Sequence, residues 1–374
     1  MYRNNYLELG TCMKIVVYDV AAEDGGGLFV LKDFYNEVLN HNDGIEWHFF
    51  VSTKEIKSNK NIIVHYYPKK NIINRMLSEQ IQISKMISSI SPNLVVSLQN
   101  MPLVFCKYKQ VVYLHQSLQY CPVSFSFFHR SERKLAIKQH IVCNIYRLFL
   151  HKAKHIYVQT NWIKKATIKW LNCKKSKISV VPVTIQKNEF QNLKYDGFNS
   201  HTFFYPARAQ QYKNHIVVIK AVKLLVKKGV KNFKVIFTID PKENKYAKVL
   251  KDKSKGLPID FVGTLPYEQV WKEYSKSIMI FPSYLETCGL PLLEAKSMRS
   301  IIIASDLPFS HEALLNYSNA LFFKFDDSSM LSEQMERVLN GTYMYIAQPK
   351  NEVEKKNNLY SQVLEIEFME SNRR

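Results

Sequence analysis

Short apolar runs alternate with longer amphipathic stretches along most of this chain. The runs are rich in β-branched and aromatic residues, as strands are, whereas stretches such as 213–228 and 267–274 carry the apolar spacing of helices. Alternation of this kind is typical of parallel sheets covered by helices. It predicts a first series of strands at 14–19, 47–52, 62–66, 94–98, 110–114, 155–159 and 178–181, and a second series at 202–205, 233–238, 259–262, 277–281, 300–304 and 321–323.

A polar stretch at 186–200 separates the two series and has little apolar periodicity, so we interpret it as an interdomain linker. The sequence thus predicts an α/β protein with two Rossmann-like, doubly wound parallel-sheet domains at 13–185 and 200–345. Ligands of such sheets bind beyond the carboxyl ends of the strands, so the expected active site is a cleft between the two domains. The last segment, 346–374, is charged around spaced apolar residues and is either a free tail or a final helix.

The composition fits two globular cores. At 374 residues the chain is too long for one ordinary core, and a hydrophobic fraction of 46% excludes a disordered protein. Lys and Arg outnumber Asp and Glu by 52 to 32, and the formal charge of +20 predicts attraction to phosphate on a nucleotide, a nucleic acid or an anionic leaflet. The six cysteines show neither a C-x-x-C pair nor zinc-ligand spacing, which indicates reduced thiols in a cytoplasmic protein.

No apolar run reaches the roughly 18 residues of a membrane-spanning helix, and the best candidate, 141–150, is interrupted by Asn144 and Arg147. The first twelve residues lack the apolar core of a signal peptide. Because the first predicted strand follows Met13 directly, Met13 is a candidate natural start, with residues 1–12 as a loose tail.

The segment Glu286-Thr-Cys-Gly-Leu-Pro-Leu-Leu-Glu294 carries two carboxylates after the apolar run 277–281. The spacing predicts a strand, a tight loop and a helix with Pro291 in its first turn. Such a loop presents backbone donors, a helix N-terminus and two acidic acceptors, which suits a ligand that is part anion and part polyol, such as a nucleotide sugar. Two other interpretations stay open at this point: Glu294 caps the helix, or the two acids hydrolyse a glycoside.

Arg208 and Lys213 follow the predicted strand 202–205, one at the strand end and the other at the entry of the next helix. Two cations so placed can converge on a diphosphate and offset the charge that grows on it as a glycosidic bond breaks. In a chain with 52 basic residues, chance placement is the competing interpretation.

A glycine loop, Asp24-Gly25-Gly26-Gly27, comes directly after the first strand. Glycines let the backbone approach a ligand closely, and N–H groups there can bind phosphate or a sugar hydroxyl. The loop lacks the full G-x-G-x-x-G of a dinucleotide site, and a plain tight turn is the alternative. His115 ends the strand at 110–114, where a histidine either is structural or faces a ligand.

The stretch Phe261-Val-Gly-Thr-Leu-Pro, then Ile280-Phe-Pro-Ser-Tyr-Leu-Glu286, and finally Ile303-Ala-Ser-Asp-Leu-Pro with Glu312 resembles the C-terminal half of retaining glycosyltransferases of family 4. Those enzymes have the GT-B fold, and the resemblance extends more weakly to the glycine loop and His115. Within this family, the chain is similar to the capsular and surface polysaccharide glycosyltransferases. It implies an N-terminal acceptor-side domain, a C-terminal nucleotide-sugar domain and a final helix that returns toward the N-terminal domain.

The resemblance also implies residue roles around the transferred sugar. Arg208 and Lys213 would hold the donor diphosphate, and Glu286 would hold hydroxyls of the sugar near its anomeric carbon. His115 would contact the donor sugar or the developing charge from the N-terminal domain. These four are the implied catalytic residues.

Donor binding would fall to a second set. Glu294 would accept hydrogen bonds from the ribose hydroxyls, and the backbone of Gly289 and Leu290 would face the diphosphate at the helix mouth. Gly26 and Gly27 would lie near the donor phosphates and the acceptor. The chain has no D-x-D motif, which fits the metal-independent GT-B group, so we expect no metal and no cofactor besides the nucleotide-diphosphate sugar itself.

A basic belt spans residues 129–177, where 13 Lys or Arg accompany a single acid, Glu132. Seven of the aromatic residues in and just before the belt complete this candidate surface: Phe125, Phe127, Phe128, Tyr146, Phe149, Trp162 and Trp170. Such a surface suits peripheral docking on an anionic leaflet. The alternative is a charged face that is simply exposed to solvent. A basic nucleic-acid-binding protein is the rival class, but no recognisable DNA- or RNA-binding motif supports it.

From the residues and the resemblance together, we expect a cytoplasmic, retaining hexosyl- or deoxyhexosyltransferase at the inner face of the cell membrane. It would take a nucleotide-sugar donor and a lipid-linked saccharide acceptor in capsular or surface polysaccharide synthesis, without a nucleic-acid partner. The sequence does not select the donor base, the sugar, the acceptor or the linkage.

Overall fold

The computed structural model describes residues 13–23, 25–41, 44–68, 80–183, 185, 189–348 and 358–371. The predicted tail 1–12 and Asp24 of the glycine loop lie outside these ranges. The chain divides into two compact units. Unit 1 combines residues up to Pro182 with those from Lys356 onward, and unit 2 spans Val183–Lys355.

Unit 1 is built on a seven-stranded, all-parallel sheet in the order β3-β2-β1-β4-β5-β6-β7. Its strands are β1 Lys14–Asp19, β2 Glu46–Val51, β3 Ile62–Tyr66, β4 Leu94–Ser97, β5 Gln110–Leu114, β6 His155–Val158 and β7 Ile178–Val180. Its described helices are α1 Gly25–Asn40, α2 Gln80–Ile90, α3 Arg133–Ile137, α4 Cys143–Leu150, α5 Asn161–Leu171 and α12 Leu359–Ser371. A π-helical turn, Lys138–Val142, joins α3 to α4 without a break.

Alternation along β1 explains why this sheet has a core on each face. Ile15 and Val17 pack into one hydrophobic cluster, and Val16 and Tyr18 pack into another on the opposite face. Successive strand residues point to opposite faces, so a strand that is apolar throughout requires cover on both.

Unit 2 is built on a six-stranded parallel sheet in the order β10-β9-β8-β11-β12-β13. Its strands are β8 Thr202–Tyr205, β9 Lys234–Phe237, β10 Ile259–Phe261, β11 Ile278–Phe281, β12 Ile302–Ser305 and β13 Ala320–Phe323. Its helices are α6 His215–Lys227, α7 Lys245–Lys253, α8 Tyr267–Lys276, α9 Leu290–Ser297, α10 Pro308–Ala313 and α11 Ser328–Leu339. Each of the 13 predicted strands corresponds to an observed one, with ends that differ by at most two residues.

The polar stretch at 186–200 is not a linker along its whole length. Tyr195 is buried, and its hydroxyl accepts a hydrogen bond from the Ile301 amide at 3.0 Å. The Asp196 amide donates to the Ser275 carbonyl at 2.9 Å. A Cβ on Gly197 would come within 2.7 Å of the Ser277 backbone, so only glycine fits there. Residues 195–197 are therefore an integral part of unit 2, and their polar neighbours concealed this in the sequence.

The final helix α12 packs into unit 1. Leu359, Tyr360 and Val363 join the hydrophobic cluster that contains β1 and β2 residues. The Tyr157 hydroxyl donates to the Gln362 carbonyl at 2.6 Å, and the Tyr360 ring stacks on His41 with centroids 4.4 Å apart. The described part of the segment is thus a docked helix and not a free tail.

Candidate active site

Most of the predicted site residues lie at the carboxyl ends of β8 and β11, which are hydrogen-bonded neighbours in the sheet of unit 2. The loop after β8 carries Arg208 and Lys213, and the loop after β11 carries Glu286. Parallel neighbours end at the same edge, so the topology alone brings these two loops together. The Lys213 ammonium lies 2.5 Å from Oε1 of Glu286, which unites two of the predicted catalytic residues.

Side chains that sequence analysis did not identify fix the geometry of these two loops. The Tyr205 hydroxyl donates to the Lys213 carbonyl at 2.9 Å, and the Ser283 hydroxyl donates to the Tyr212 carbonyl at 3.1 Å. Asn214 adopts a left-handed conformation and donates its side-chain amide to the Pro282 carbonyl at 3.1 Å. Asparagine tolerates this conformation better than most residues, which was the one signal available in the sequence.

Arg208 shares the electrostatic neighbourhood of Glu286. Burial and the nearby Glu286 carboxylate raise the pKa of Tyr212 to about 12. The Arg208 guanidinium lowers the pKa of the same phenol, so Arg208 and Glu286 both act on Tyr212. Arg208 is exposed, while the next residue is held in place because the Ala209 amide donates to Oε1 of Glu243 at 2.8 Å. The loop therefore presents the exposed Arg208 beside the mostly buried ion pair of Lys213 and Glu286.

The turn into α9 depends on Gly289, which caps the helix with φ +65°. A Cβ at this position would be strained by the backbone and would lie 3.1 Å from the Leu292 side chain. No side chain caps the helix, so Gly289 and Leu290 offer backbone at an N-terminus with a favourable dipole for an anion. Pro291 lies in the first turn, as predicted.

Glu294 does not cap the helix, which was one of the interpretations that the sequence left open. Its Oε2 accepts a hydrogen bond from the Tyr274 hydroxyl at 2.9 Å, across the α8–α9 contact. Burial raises the pKa of Glu294 to about 7, and the Tyr274 bond opposes that rise. An acceptor whose charge depends on pH near neutrality is thus placed one helical turn beyond Gly289.

The thiol in this loop is inert. Cys288 is buried, and burial together with nearby Glu286 raises its pKa to about 12. The thiolate, which is the reactive form, is therefore scarce near neutral pH. The five cysteines of the described ranges are all free thiols, as the sequence predicted.

The remaining predicted site residues, Gly26, Gly27 and His115, lie in unit 1. A cavity of about 250 Å³ opens at the carboxyl ends of β1, β4 and β5, and Gly27, Asn100 and His115 are among the residues that line it. A Cβ on Gly27 would lie 3.7 Å from Cε1 of His115, whereas one on Gly26 would meet nothing within 4 Å. The glycine at position 27 thus keeps the space beside the histidine open.

Hydrogen bonds define the protonation of His115. Its backbone amide donates to Oδ1 of Asn100 at 2.8 Å, and its Nε2 lies 2.9 Å from the Leu98 carbonyl. The side-chain nitrogen of Asn100 also lies 3.3 Å from Nε2. The contact to the carbonyl is shorter and a carbonyl only accepts, so we assign the proton to Nε2, which makes Nδ1 of the neutral ring an acceptor. Burial lowers the pKa of His115, which keeps the ring neutral at physiological pH. Across the described ranges, no group of three His, Cys, Asp or Glu side chains has an arrangement that could hold a metal ion.

Two parallel sheets flanked by helices, with cations and acids gathered at the strand ends of the second, have the architecture of the GT-B fold. Residues 185–357 match the family model described as glycosyl transferases group 1. The chain thus has the GT-B fold that the sequence resemblance predicted, and its second unit matches this family model.

A curated relative is the O-antigen chain mannosyltransferase RfbU of Salmonella typhimurium, which is 24% identical over 205 residues. The match covers 51% of this chain and 53% of the relative, so the chain spans about half the length of that protein. Two solved structures share the fold at 14% identity. The lipopolysaccharide outer core galactosyltransferase WaaB, in its apo form, has a TM-score of 0.63 and covers 96% of this chain and 100% of its own. Anabaena Alr3699/HepE, in complex with UDP and glucose, has a TM-score of 0.61 over 88% of this chain and 90% of its own.

Proposed function

We propose that the protein transfers a hexosyl or deoxyhexosyl group from a nucleotide-diphosphate sugar to a lipid-linked oligosaccharide, with retention of configuration and without a metal ion. The observation that carries this proposal is the Lys213–Glu286 pair at the strand ends of unit 2, beside the uncapped N-terminus of α9. The names of the relatives, an O-antigen mannosyltransferase and a lipopolysaccharide galactosyltransferase, favour a role in surface or capsular polysaccharide synthesis.

The donor diphosphate binds Arg208, Lys213 and the backbone of Gly289 and Leu290. These groups supply positive charge where a metal ion would otherwise supply it, and they stabilise the diphosphate as its bond to the sugar breaks. The Lys213 ammonium lies 2.5 Å from Oε1 of Glu286, so the cation is oriented before the donor binds.

Glu286 accepts hydrogen bonds from hydroxyls of the transferred sugar, and Glu294 accepts them from the ribose. The acceptor hydroxyl forms a bond to the anomeric carbon from the face that the diphosphate leaves. The bond between that carbon and the diphosphate oxygen breaks, and the departing oxygen takes the proton of the hydroxyl. No side chain is required as a nucleophile, and Cys288 cannot serve as one because it stays protonated.

In unit 1, the cavity beside Gly27 and His115 receives sugar hydroxyls. Nδ1 of the neutral His115 ring accepts a hydrogen bond there, and Asn100 holds the ring in place through the His115 backbone. Gly26 and Gly27 offer backbone at the start of α1 for close approach by a ligand.

Thermal stabilisation by UDP, GDP and dTDP tests the donor half of this proposal. A bound ligand raises stability in proportion to the logarithm of its concentration over its dissociation constant, so one base should stand out. The matching nucleotide sugar should then be consumed when a lipid-linked acceptor is added. Absence of stabilisation by every nucleoside diphosphate would overturn the proposal.

We also propose that unit 1 docks on an anionic leaflet through the continuous helical segment formed by α3, the π-helical turn and α4. None of the described helices has the length and apolarity needed to cross a bilayer. Along the segment, Ile137, Ile141 and Leu148 form one exposed apolar stripe, with Leu148 69% exposed. Phe128, in the loop before α3, is 94% exposed.

Exposed cations flank this stripe, among them Arg130, Arg133, Lys134 and Arg147. An apolar stripe bordered by Lys and Arg is the pattern of a helix that lies in the interface of an anionic membrane. The aromatic part of the sequence prediction is partly wrong, however. Phe125 is buried, and Trp162 and Trp170 are half-buried, because α5 packs them against Tyr120 with ring centroids 6.0 and 5.8 Å apart. Only Phe127 and Phe128 of the seven are well exposed.

Sedimentation with phosphatidylglycerol vesicles, compared with phosphatidylcholine vesicles and with oligonucleotides, tests this surface. Phe128→Ser combined with Ile141→Ser should abolish vesicle binding, whereas Leu315→Ser, at an exposed apolar position of unit 2, should leave it intact. Salt-sensitive binding to oligonucleotides without vesicle binding would favour the rival class of a nucleic-acid-binding protein.

A further inference from the structure

Tyr274 is the residue through which α8 contacts the proposed ribose acceptor. Its hydroxyl donates to Oε2 of Glu294 at 2.9 Å, and within the described part of the chain no residue bonds to Oε1. One carboxylate oxygen is therefore anchored, and the other is left to face a ligand. Glu294 is half-buried, so a ligand can reach it.

The tyrosine itself has almost no freedom. Its side chain is 1% exposed, and its ring makes edge contacts with Trp271 at 6.0 Å and with Phe204 at 5.7 Å. The Ser300 hydroxyl also donates to the Tyr274 carbonyl at 2.7 Å. A donor held this rigidly fixes the orientation of the carboxylate that it bonds.

The charged state of Glu294 depends on few groups. Among the described residues, Tyr274 is the ionisable group that contacts Glu294, and Tyr267 is the next one that faces Tyr274. Burial raises the pKa of Tyr274 well above its usual value, so it stays protonated and remains a donor. Of the residues that the structure describes, no cation offsets the burial of Glu294, which leaves the phenol as the group that favours its ionised form.

We propose that Tyr274 is a positioning residue for the donor nucleotide: it anchors Oε2 of Glu294 so that Oε1, in its ionised state, accepts the ribose hydroxyls. The inference rests on the proposed function of Glu294 in nucleotide-sugar binding. It extends that function to a side chain that the ligand does not touch.

The test compares wild type with Tyr274→Phe by calorimetric titration of UDP and 2′-deoxy-UDP, or of the corresponding guanosine pair if GDP is the nucleotide that binds. Loss of the phenol should raise the pKa of Glu294 further, so affinity at pH 7 should fall about fivefold and recover toward pH 9. The preference for the 2′-hydroxyl should shrink in the same variant.

Tyr317→Phe is the matched control. Its hydroxyl donates to the Ser300 carbonyl in the same unit, so the variant also loses a buried hydrogen bond without touching Glu294. It should bind UDP as wild type does at every pH. An equal loss in both variants, or a loss in Tyr274→Phe that does not depend on pH, would show a merely structural role and overturn the inference.

A double variant keeps the test decisive if Tyr274→Phe lowers stability. When Glu294 is already Gln, Tyr274→Phe should cost no further affinity, because the effect passes through the carboxylate. Additive losses would contradict the inference. If wild type binds no nucleoside diphosphate, the proposed function fails; if wild type binds and Tyr274→Phe matches it, only the role of Tyr274 fails.

Discussion

The Lys213 ammonium and the Glu286 carboxylate form an ion pair of 2.5 Å with only 18% and 14% of their side chains exposed. Each was predicted to bind a different part of the donor, and the structure places them in contact. In the proposed mechanism, Glu286 would therefore have two roles: it would present acceptor oxygens to the sugar, and it would hold the cation that binds the diphosphate.

This pair predicts separable kinetic effects. Glu286→Gln should lower kcat about 100-fold, because the transition state loses a charged acceptor near the anomeric carbon, while the dissociation constant of the nucleoside diphosphate changes little. Lys213→Met should weaken nucleotide binding about tenfold as well as lowering kcat. Steady-state kinetics with product-binding titrations measure both. Equal and negligible effects of the two variants would contradict the assigned roles.

Glu294→Gln should stabilise the protein at alkaline pH while weakening nucleotide binding. The folded-state pKa of about 7 lies above the ordinary value of 4.5, so the folded state retains a proton that the unfolded state releases. The stability from this group is complete below the unfolded pKa and is lost as pH rises through the folded pKa. The Gln variant should therefore gain about 3 kcal/mol over wild type near pH 8, with no gain near pH 4.

Denaturant unfolding of both proteins at the two pH values measures this difference. A gain that is equal at both pH values would show that Gln improves packing and that ionisation of Glu294 is not the cause. Glu294→Ala should weaken nucleotide binding too, but it also removes the acceptor of the Tyr274 hydroxyl.

Gly27→Ala should lower turnover without loss of stability. Alanine favours the helix over glycine by up to about 1 kcal/mol, so α1 tolerates the change. The new methyl lies 3.7 Å from the His115 ring and narrows the cavity, which should reduce turnover about tenfold. Gly26→Ala makes the same change in helix propensity with no neighbour within 4 Å, and its loss should be smaller. Equal losses would exclude the cavity beside His115 as the cause.

Tyr360→Ala should destabilise unit 1 by about 3 kcal/mol, because a large buried aromatic side chain is removed from between His41 and Trp47. The urea midpoint measures the loss, and Glu365→Ala, at an exposed position of the same helix, is the control. An unchanged midpoint would show that α12 adds little to the core.

The strands were predictable because their signal is local. A parallel strand buried on both faces is a continuous apolar run, and β1 and β11 are read directly from such runs. The cations and acids of unit 2 were also predictable, since each follows a strand. What the sequence could not show were partners fixed by packing: Tyr274 and Glu294 lie 20 residues apart and meet only through the α8–α9 contact.

The same limit explains the error about the basic belt. Sequence composition identifies the aromatic residues of 125–170 but not the direction in which each helix face points. Trp162 and Trp170 are half-buried on α5, where their rings pack against Tyr120. The aliphatic residues Ile137, Ile141 and Leu148 were missed because their exposure depends on which side of α3 and α4 the sheet covers.

The placement of α12 sets an order of events during translation. Unit 2 is made from one uninterrupted stretch, but Leu359, Tyr360 and Val363 complete the hydrophobic cluster of unit 1 only after that whole stretch has left the ribosome. A nascent chain therefore has an incomplete hydrophobic cluster in unit 1 at a stage when unit 2 can already fold. During that interval the incomplete cluster exposes hydrophobic surface that chaperones bind and proteases cleave, and this exposure ends when α12 docks.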